Sequence, residues 1–154
     1  MQADLPGKSK VQIDLIATKC SRETLHVQSI SFWAAANIGP YAQANAIGNL
    51  VFVAGQIGLV PHTMTIPPFL TDQIQVSLHN LEAINMEMKS IPFGAVCYIT
   101  DPQAYSEVIS EWNNRSIILA VSCRGLPRSA LVEWQTLNLR RIHCRNVTID
   151  QIGN

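Results

Sequence analysis

The sequence predicts one α+β domain in which two helices pack on one face of a mixed β-sheet. Two observations predict this class. Five apolar runs of strand-like composition are separated by turns rich in glycine, proline and asparagine. Between them lie two longer segments whose apolar residues recur at spacings of three and four, the period of a helix. The expected order is strand, strand, helix, strand, helix, strand, strand, and 154 residues suit a single core.

The first 23 residues are expected to be a leader or the tail of a preceding unit. Residues 11–17 alternate in a strand-like way, a polar stretch follows, and residues 25–33 alternate again. We therefore place the domain itself at residues 24–148 and a short tail at residues 149–154.

A hairpin and a central strand are predicted after the turn-rich residues 37–41. Gly48 and Asn49 separate two short apolar runs, which is typical of a hairpin turn. Residues 50–59 are apolar on both sides and therefore predict a strand in the middle of the sheet. This strand contains Gly55 and Gly58, and a glycine inside a strand often marks a bulge or the close approach of another group.

The two helices are predicted from different signals. The first is expected from Thr71 or Asp72 to about Lys89, because an apolar stripe repeats there at helical spacing. That stripe consists of Ile74, Leu78, Leu81, Ile84 and Met88. The second helix is expected to begin at Asp101 and Pro102, since aspartate accepts hydrogen bonds from the first free N–H groups and proline suits the first helical position.

The remaining strands are predicted at residues 94–100, 116–123 and 130–139. The last of them contains Glu133, the only carboxylate within a strongly apolar run. Alternation places Glu133 on the side of the strand opposite Trp134. A partly desolvated carboxylate needs a hydrogen-bond donor, so Glu133 is either a functional group in a cleft or a structural carboxylate capped by a neighbouring backbone.

Composition excludes several classes of function. Net charge is zero, so no field attracts nucleic acid or an anionic membrane, and no apolar run is long enough to span a bilayer. The four cysteines form no close pairs, and no phosphate-binding loop or dinucleotide fingerprint occurs, so no metal or other cofactor is expected. Charged residues are only 14%, so we expect apolar surface that further copies or a partner would cover. The chain is expected to be cytoplasmic, with reduced thiols.

Two separated motifs resemble the YjgF/RidA family, also described as endoribonuclease L-PSP-like. They are Ile-Gly-Pro-Tyr-Ala-Gln-Ala at 38–44 with its continuation at 48–59, and Leu-Pro at 126–127 with Ala-Leu-Val-Glu at 130–133. The resemblance implies a chorismate-mutase-like α+β fold, a homotrimer and ligand clefts between subunits. It also implies Tyr41 and Glu133 as candidate catalytic residues. Residues 33–37 and 131–135 are further similar to the YjgF-type domains at the carboxyl end of eukaryotic diphthine–ammonia ligases.

Several cleft positions depart from the family pattern. Active deaminases of the family carry Arg-Ser-Cys, whose arginine binds the substrate carboxylate, and the matching residues here are Ile118, Leu119 and Ala120. A charged contact of this kind contributes about 1.5–3 kcal/mol, so an amino-acid-derived imine would have no anchor here. A family serine and a family helix asparagine are also replaced. The ligand cleft that the resemblance implies is lined by Ala54, Gly55, Gln56, Ile109, Ile118 and Ala120.

Three functions stay open from the sequence. The leading hypothesis is a non-catalytic module that binds a small apolar ligand, forms oligomers and serves a diphthine–ammonia ligase of diphthamide biosynthesis. The first alternative is an enamine/imine deaminase acting on small amino-acid-derived imines through Tyr41 and Glu133. The second is an endoribonuclease aided by four basic residues. These are Arg124, Arg128, Arg140 and Arg141. Nucleic acid is not an expected partner, because no aromatic residues interleave with these arginines.

Overall fold

Six strands form one sheet in the computed structural model, which describes residues 2, 4–5, 7–13 and 15–140. In chain order they are β1 (Glu23–Leu25), β2 (Ala44–Ile47), β3 (Leu50–Ile57), β4 (Ser90–Ile99), β5 (Ile117–Ser122) and β6 (Val132–Arg140). The helices are α1 (Leu70–Glu87) and α2 (Tyr105–Trp112). The predicted domain end at residue 148 and the predicted tail at 149–154 lie outside the described residues.

The strands follow the order β1-β2-β3-β6-β4-β5 across the sheet. β4 and β5 are parallel, with α2 as the crossover between them, and the other neighbouring strands are antiparallel. The predicted mixed sheet is therefore confirmed. β2 and β3 form the predicted hairpin, whose turn residue Gly48 has φ of 59°, in the left-handed region that glycine adopts without strain.

Helix α1 crosses the sheet with its predicted apolar stripe buried. Buried polar residues of the same helix bind the backbone at the ends of the central strands. Gln73 accepts the Leu131 N–H at 2.8 Å, and Asn80 donates to the Ile57 carbonyl at 3.1 Å. A Cβ on Gly58 would lie 2.8 Å from Cα of Gln73, so only glycine lets the helix approach this closely. The helix therefore fixes the strand ends near which the candidate site lies.

Helix α2 begins after the predicted cap. Asp101 accepts the Gln103 N–H at 2.9 Å, but it caps a 3₁₀ turn, Pro102–Ala104, that leads into the helix. At the other end of α2, Trp112 stacks on Trp134 of β6 with ring centroids 5.1 Å apart. Both helices therefore pack on the same face of the sheet, as predicted.

Two strand predictions near the amino end are wrong. The described residues within 11–17 form no strand, and of residues 25–33 only Leu25 belongs to one, at the end of β1. Alternation makes a strand only where a neighbouring strand supplies hydrogen bonds. Beyond Leu25 these hydrogen bonds come from a side chain and not from a neighbouring strand. The Gln43 side chain accepts the Val27 N–H and donates to the Val27 carbonyl, both at 2.9 Å.

The second face of the sheet carries no helix in the described part of the chain. Residues paired across strands share a face, and one such row joins Leu50, Leu139 and Ile91. All three are exposed, and so are Ile117 and Leu119 of β5. Within the described ranges, no helix is long and apolar enough to cross a membrane.

Candidate functional site

Glu133 lies on β6, on the sheet face away from the helices, as alternation predicts. Its neighbours in register are Ile57 on β3 and Tyr98 on β4. Its carboxyl group lies directly over Gly55, where an added Cβ would be 1.7 Å from the Glu133 Oε1 atom. The carboxyl group therefore occupies the space that any other residue at position 55 would fill.

A bulge in β3 creates this arrangement. The pairing register with β6 shifts between Val53 and Gln56, so the residues between them leave the regular ladder. The Ala54 N–H turns to the Gln43 carbonyl at 2.8 Å, and the Gln56 side chain donates to the Ala54 carbonyl at 3.0 Å. A glycine inside a strand was expected to mark a bulge or the close approach of another group, and Gly55 lies at both.

Tyr41 reaches the site from the loop before β2. The loop folds tightly, since the Tyr41 N–H donates to the Gly39 carbonyl at 2.8 Å and the Asn37 side chain donates to the same carbonyl. The Tyr41 ring packs over Gly39, with its Cε1 atom 3.2 Å from the position of a Cβ there. Gln43 anchors the loop, because its amide donates to the Ala35 carbonyl at 3.2 Å.

A small cavity lies between this loop and the bulge. Its volume is about 20 Å³, room for roughly one water molecule. Tyr41, Gly55 and Gln56 are part of its lining, together with Asn37 and Ile38. This cavity, which Glu133 does not line, therefore accepts a group of about the size of water.

Burial dominates the electrostatics of the site. It raises the pKa of Glu133 above the ordinary value of a glutamate, and the positive charge of the chain's amino terminus lowers this pKa by a smaller amount. Burial also raises the pKa of Tyr41, which a hydrogen bond with the Ile38 backbone lowers and the charge of Glu133 raises further. The pKa of Tyr98 is raised by burial and then by Glu133. Among the described residues, no hydrogen bond reaches the Glu133 side chain.

The two cysteines near the site are poor nucleophiles. Burial, with smaller contributions from Cys123 and Glu133, raises the pKa of Cys97 to about 12. Burial also raises the pKa of Cys123, whose thiol donates to the Gly125 carbonyl at 3.9 Å. Both therefore stay protonated near neutral pH, and the thiolate is the reactive form. In the part of the chain that the structure describes, no three His, Cys, Asp or Glu residues group closely enough to hold a metal ion.

The structure brings together only part of the predicted ligand cleft. Ala54, Gly55 and Gln56 lie with Tyr41 and Glu133 around the bulge. Ile118 and Ala120 pair in register with Ala95 and Cys97, which are buried on the helix side of the sheet.

Ile118 packs against the core beneath the helices, and Ile109 is half-buried on α2. Within one chain, Ile109, Ile118 and Ala120 therefore do not meet Glu133.

The sequence reasoning missed Tyr98. This residue faces Glu133 across β4 and β6, and its hydroxyl donates to the Gln135 side chain at 3.4 Å. Alternation alone shows which residues of one strand share a side, but not which residue of another strand lies opposite. Tyr98 could have been found only if the pairing register between β4 and β6 had been known.

Three of the four basic residues proposed for RNA make contacts within this chain. Arg124 forms an ion pair with Asp4 at 2.7 Å, and Arg140 forms one with Glu23. Arg128 donates to a loop carbonyl at 3.3 Å. The fourth, Arg141, lies outside the described residues. Arg124, Arg128 and Arg140 thus each contact another part of this chain.

Comparison with known proteins matches residues 33–139 to the family model described as "Endoribonuclease L-PSP". The diphthine–ammonia ligase of Schizosaccharomyces pombe is 34% identical over 134 residues, which cover 80% of this chain and 22% of the ligase. This chain therefore spans about a fifth of that ligase.

A second relative is TdcF of Escherichia coli, named as a candidate reactive intermediate deaminase. It is 47% identical over 47 residues, which cover 30% of this chain and 36% of TdcF. The crystal structure of TdcF with bound serine superposes with a TM-score of 0.64 at 25% identity. That match covers 72% of this chain and 96% of TdcF, and the fold is therefore the one shared by YjgF/RidA proteins.

Proposed function

This chain belongs to the endoribonuclease L-PSP (YjgF/RidA) family, and on that premise we propose that it is a ligand-binding, oligomer-forming module without catalysis of its own. It serves a diphthine–ammonia ligase. Support for this setting comes from the S. pombe ligase, whose match covers most of this chain but only 22% of the ligase. The catalytic steps of such a ligase belong to the other parts of the longer protein.

One observation carries the non-catalytic proposal. The half of the site that holds Tyr41 and Glu133 is intact, whereas the positions that match the family's substrate-binding segment are hydrocarbon, at Ile118 and Ala120. A carboxylate substrate would then meet the negative charge of Glu133 without the arginine that binds it in active relatives. A bidentate arginine contact contributes about 1.5–3 kcal/mol, and its loss also removes the fixed orientation of the substrate.

The oligomeric part of the proposal is a homotrimer. The helix-free sheet face is its support, because exposed leucine and isoleucine residues of four neighbouring strands lie on that face. Monomeric proteins rarely leave a contiguous apolar surface of this kind in water. Packing this face against other copies would also enclose the Glu133 half-site, which lies on the same face.

The second candidate is an imine deaminase, and the geometry around Gly55 favours it. A carboxyl group of raised pKa, whose charge also acts on Tyr41, can exchange a proton with a bound nitrogen or water. TdcF, the relative named as a candidate deaminase, supports this reading. The missing cation opposes it, since serine, which the TdcF crystal contains, carries a carboxylate.

Ammonia release separates the two candidates. An L-amino-acid oxidase generates a 2-imino acid in situ, and ammonia release is followed with and without the protein. We expect equal rates, because nothing binds the imino acid carboxylate. An acceleration that Glu133→Ala abolishes would overturn the non-catalytic proposal and establish the deaminase.

A further inference from the structure

A groove separates the carboxyl end of α1 from the beginning of β4, far from Glu133. β4 begins at Ser90, but its pairing with β5 begins only at Gly94, so the first four residues of β4 form a bare edge of the sheet. The groove beside this edge has a volume of about 840 Å³, within the range of small-molecule sites. Ser90 and Tyr98, the partner of Glu133, are eight residues apart on β4, so the two places are roughly 25 Å apart.

The lining of the groove is partly apolar. Met86, Ile91 and Pro92 form this part, and the side chains of Met86 and Ile91 are exposed. A strand of another chain is a poor occupant, because Pro92 has no N–H to donate and proline in an edge strand hinders pairing. The apolar side chains therefore suit the body of a small molecule.

The polar side chains of the groove offer donors without acceptors. Asn85 and Ser90 are buried, and both accept hydrogen bonds from the Asn138 amide, at 2.6 and 3.0 Å. Both residues line the groove, and the Asn85 amide N–H groups and the Ser90 hydroxyl proton have no acceptor among the described residues. Donors in so enclosed a position are satisfied best by an oxygen atom of a ligand.

The charges around the groove favour a single negative charge on that ligand. Lys89 and Arg115 are cations, and Glu82 is the only carboxylate among the described residues that line the groove. Arg115 is already bound, to the Glu82 carboxylate at 2.9 Å and over the ring of Trp112. Lys89 forms no ion pair in the described part of the chain, so the groove has one unpaired positive charge.

The backbone of Lys89 is an independent sign that its side chain has a role. Lys89 follows the last turn of α1, and its φ of 51° lies in the left-handed region. Glycine is favoured at this place of a helix end, because other side chains are strained there. Lysine is therefore less favourable for stability than glycine would be, and strain of this kind points to a function of the residue.

We propose that this groove binds a small organic monoanion with an apolar body. The Lys89 ammonium group, the Asn85 amide and the Ser90 hydroxyl donate to its anionic group, and Met86 and Ile91 contact its body. A monoanion matches the one unpaired cation, whereas a dianion brings a second negative charge close to Glu82. This site goes beyond the proposed function, because it uses no residue of the Glu133 site, and it requires no chemical step.

The site is tested by NMR on ¹⁵N-labelled protein with ¹³C-labelled methionine and isoleucine methyl groups. 4-Phenylbutyrate is titrated beside 4-phenylbutanol, acetate and phenyl phosphate at constant ionic strength. We expect saturable shifts of the Met86 and Ile91 methyl groups and of the Asn85 side-chain amide with 4-phenylbutyrate. The alcohol lacks the charge, acetate lacks the apolar body and phenyl phosphate carries a second charge, so each should require at least about tenfold higher concentration.

Lys89→Gly tests the cation without risk to the fold, because glycine adopts the left-handed backbone without strain. The variant should bind 4-phenylbutyrate at least about tenfold more weakly, since a charged hydrogen bond is lost, and 4-phenylbutanol as before. The matched control is Arg128→Gly, because Arg128 is also an exposed cation with positive φ, 54°, but does not line the groove. This control should leave the binding unchanged.

Four outcomes overturn the proposal. The first is no saturable response to 4-phenylbutyrate, and the second is equal affinity for the alcohol. The third is a tighter response to phenyl phosphate, which would indicate a dianion site. The fourth is equal weakening by Lys89→Gly and Arg128→Gly, which would indicate attraction by the overall charge. None of them bears on the non-catalytic module itself, because ammonia release and oligomeric mass are measured independently.

Discussion

At the scale of single residues, the site depends on the absence of one side chain. Gly55 leaves the space that the Glu133 carboxyl group fills, and a methyl group there would overlap the Oε1 atom at 1.7 Å. The overlapping atoms belong to the end of a flexible side chain, so the carboxyl group can move away without unfolding the strand. The expected consequence is a displaced Glu133 in a folded protein.

Gly55→Ala tests this expectation. We expect a loss of about 1–3 kcal/mol in the free energy of unfolding, as for other overpacked positions, measured by urea denaturation. The matched control is Gly94→Ala on β4, where an added Cβ meets no atom within 4 Å. That change should alter stability by less than about 1 kcal/mol. Equal losses in both variants would show that Gly55 is not held by its contact with Glu133.

The charge of Glu133 gives a second prediction, on pH. Burial raises its pKa in the folded state, so the protonated form favours folding and ionisation opposes it. This contribution is complete below the unfolded pKa and is lost as pH rises through the folded pKa. Glu133→Gln removes the dependence, because glutamine does not ionise.

Urea unfolding at several pH values measures the effect. The variant and the parent should be equally stable below the ordinary glutamate pKa of about 4.3, and the variant should become the more stable one as pH rises from there towards neutrality. Cys97, Cys123, Tyr41 and Tyr98 stay protonated over that range, since each has a raised pKa. A difference between the two proteins that is constant with pH would contradict a raised pKa of Glu133.

At the scale of elements, local periodicity is enough where one element buries one stripe. Helix α1 spans Leu70–Glu87 against an expectation of residue 71 or 72 to 89, because its stripe packs against the sheet at helical spacing. The same holds for the hairpin at Gly48, where turn chemistry is local. β1 shows where local periodicity is not enough. An alternating segment becomes a strand only over the residues that pair with a neighbouring strand.

The site was less predictable than its elements for a related reason. Glu133, Tyr41 and Gly55 come from three segments, and their proximity depends on the register between β3 and β6 and on the bulge that shifts it. Tyr98 joins them through the register of β4, which no pattern within β4 specifies. Strand patterns singled out Glu133 and Gly55, and the family resemblance added Tyr41, because it carries the outcome of pairing that the bare sequence does not show.

At the scale of the whole molecule, the two faces of the sheet have different surroundings. The helices cover the face that carries Trp134, and Ile118 and Ala120 of β5 point to that side. The opposite face carries Glu133 at one end, where loops partly cover it, and exposed aliphatic residues along the rest. An assembly that buries the second face would bring Glu133 close to residues of another chain, but Ile118 and Ala120 point to the opposite side and would not join it.

The homotrimer is tested on this face. Light scattering should give a mass of three times the 17.0 kDa chain at micromolar concentration.

Variants test the interface. Leu119 on the helix-free face is 60% exposed, so Leu119→Glu should leave the single chain folded. It should also place a charge in the proposed interface and reduce the mass to that of a monomer. Met86 on α1 is 79% exposed on the other side, so Met86→Glu is the matched control and should leave the mass unchanged. A stable monomer of the unaltered chain, or dissociation by Met86→Glu alone, would mean that the aliphatic face is covered by something other than two further copies.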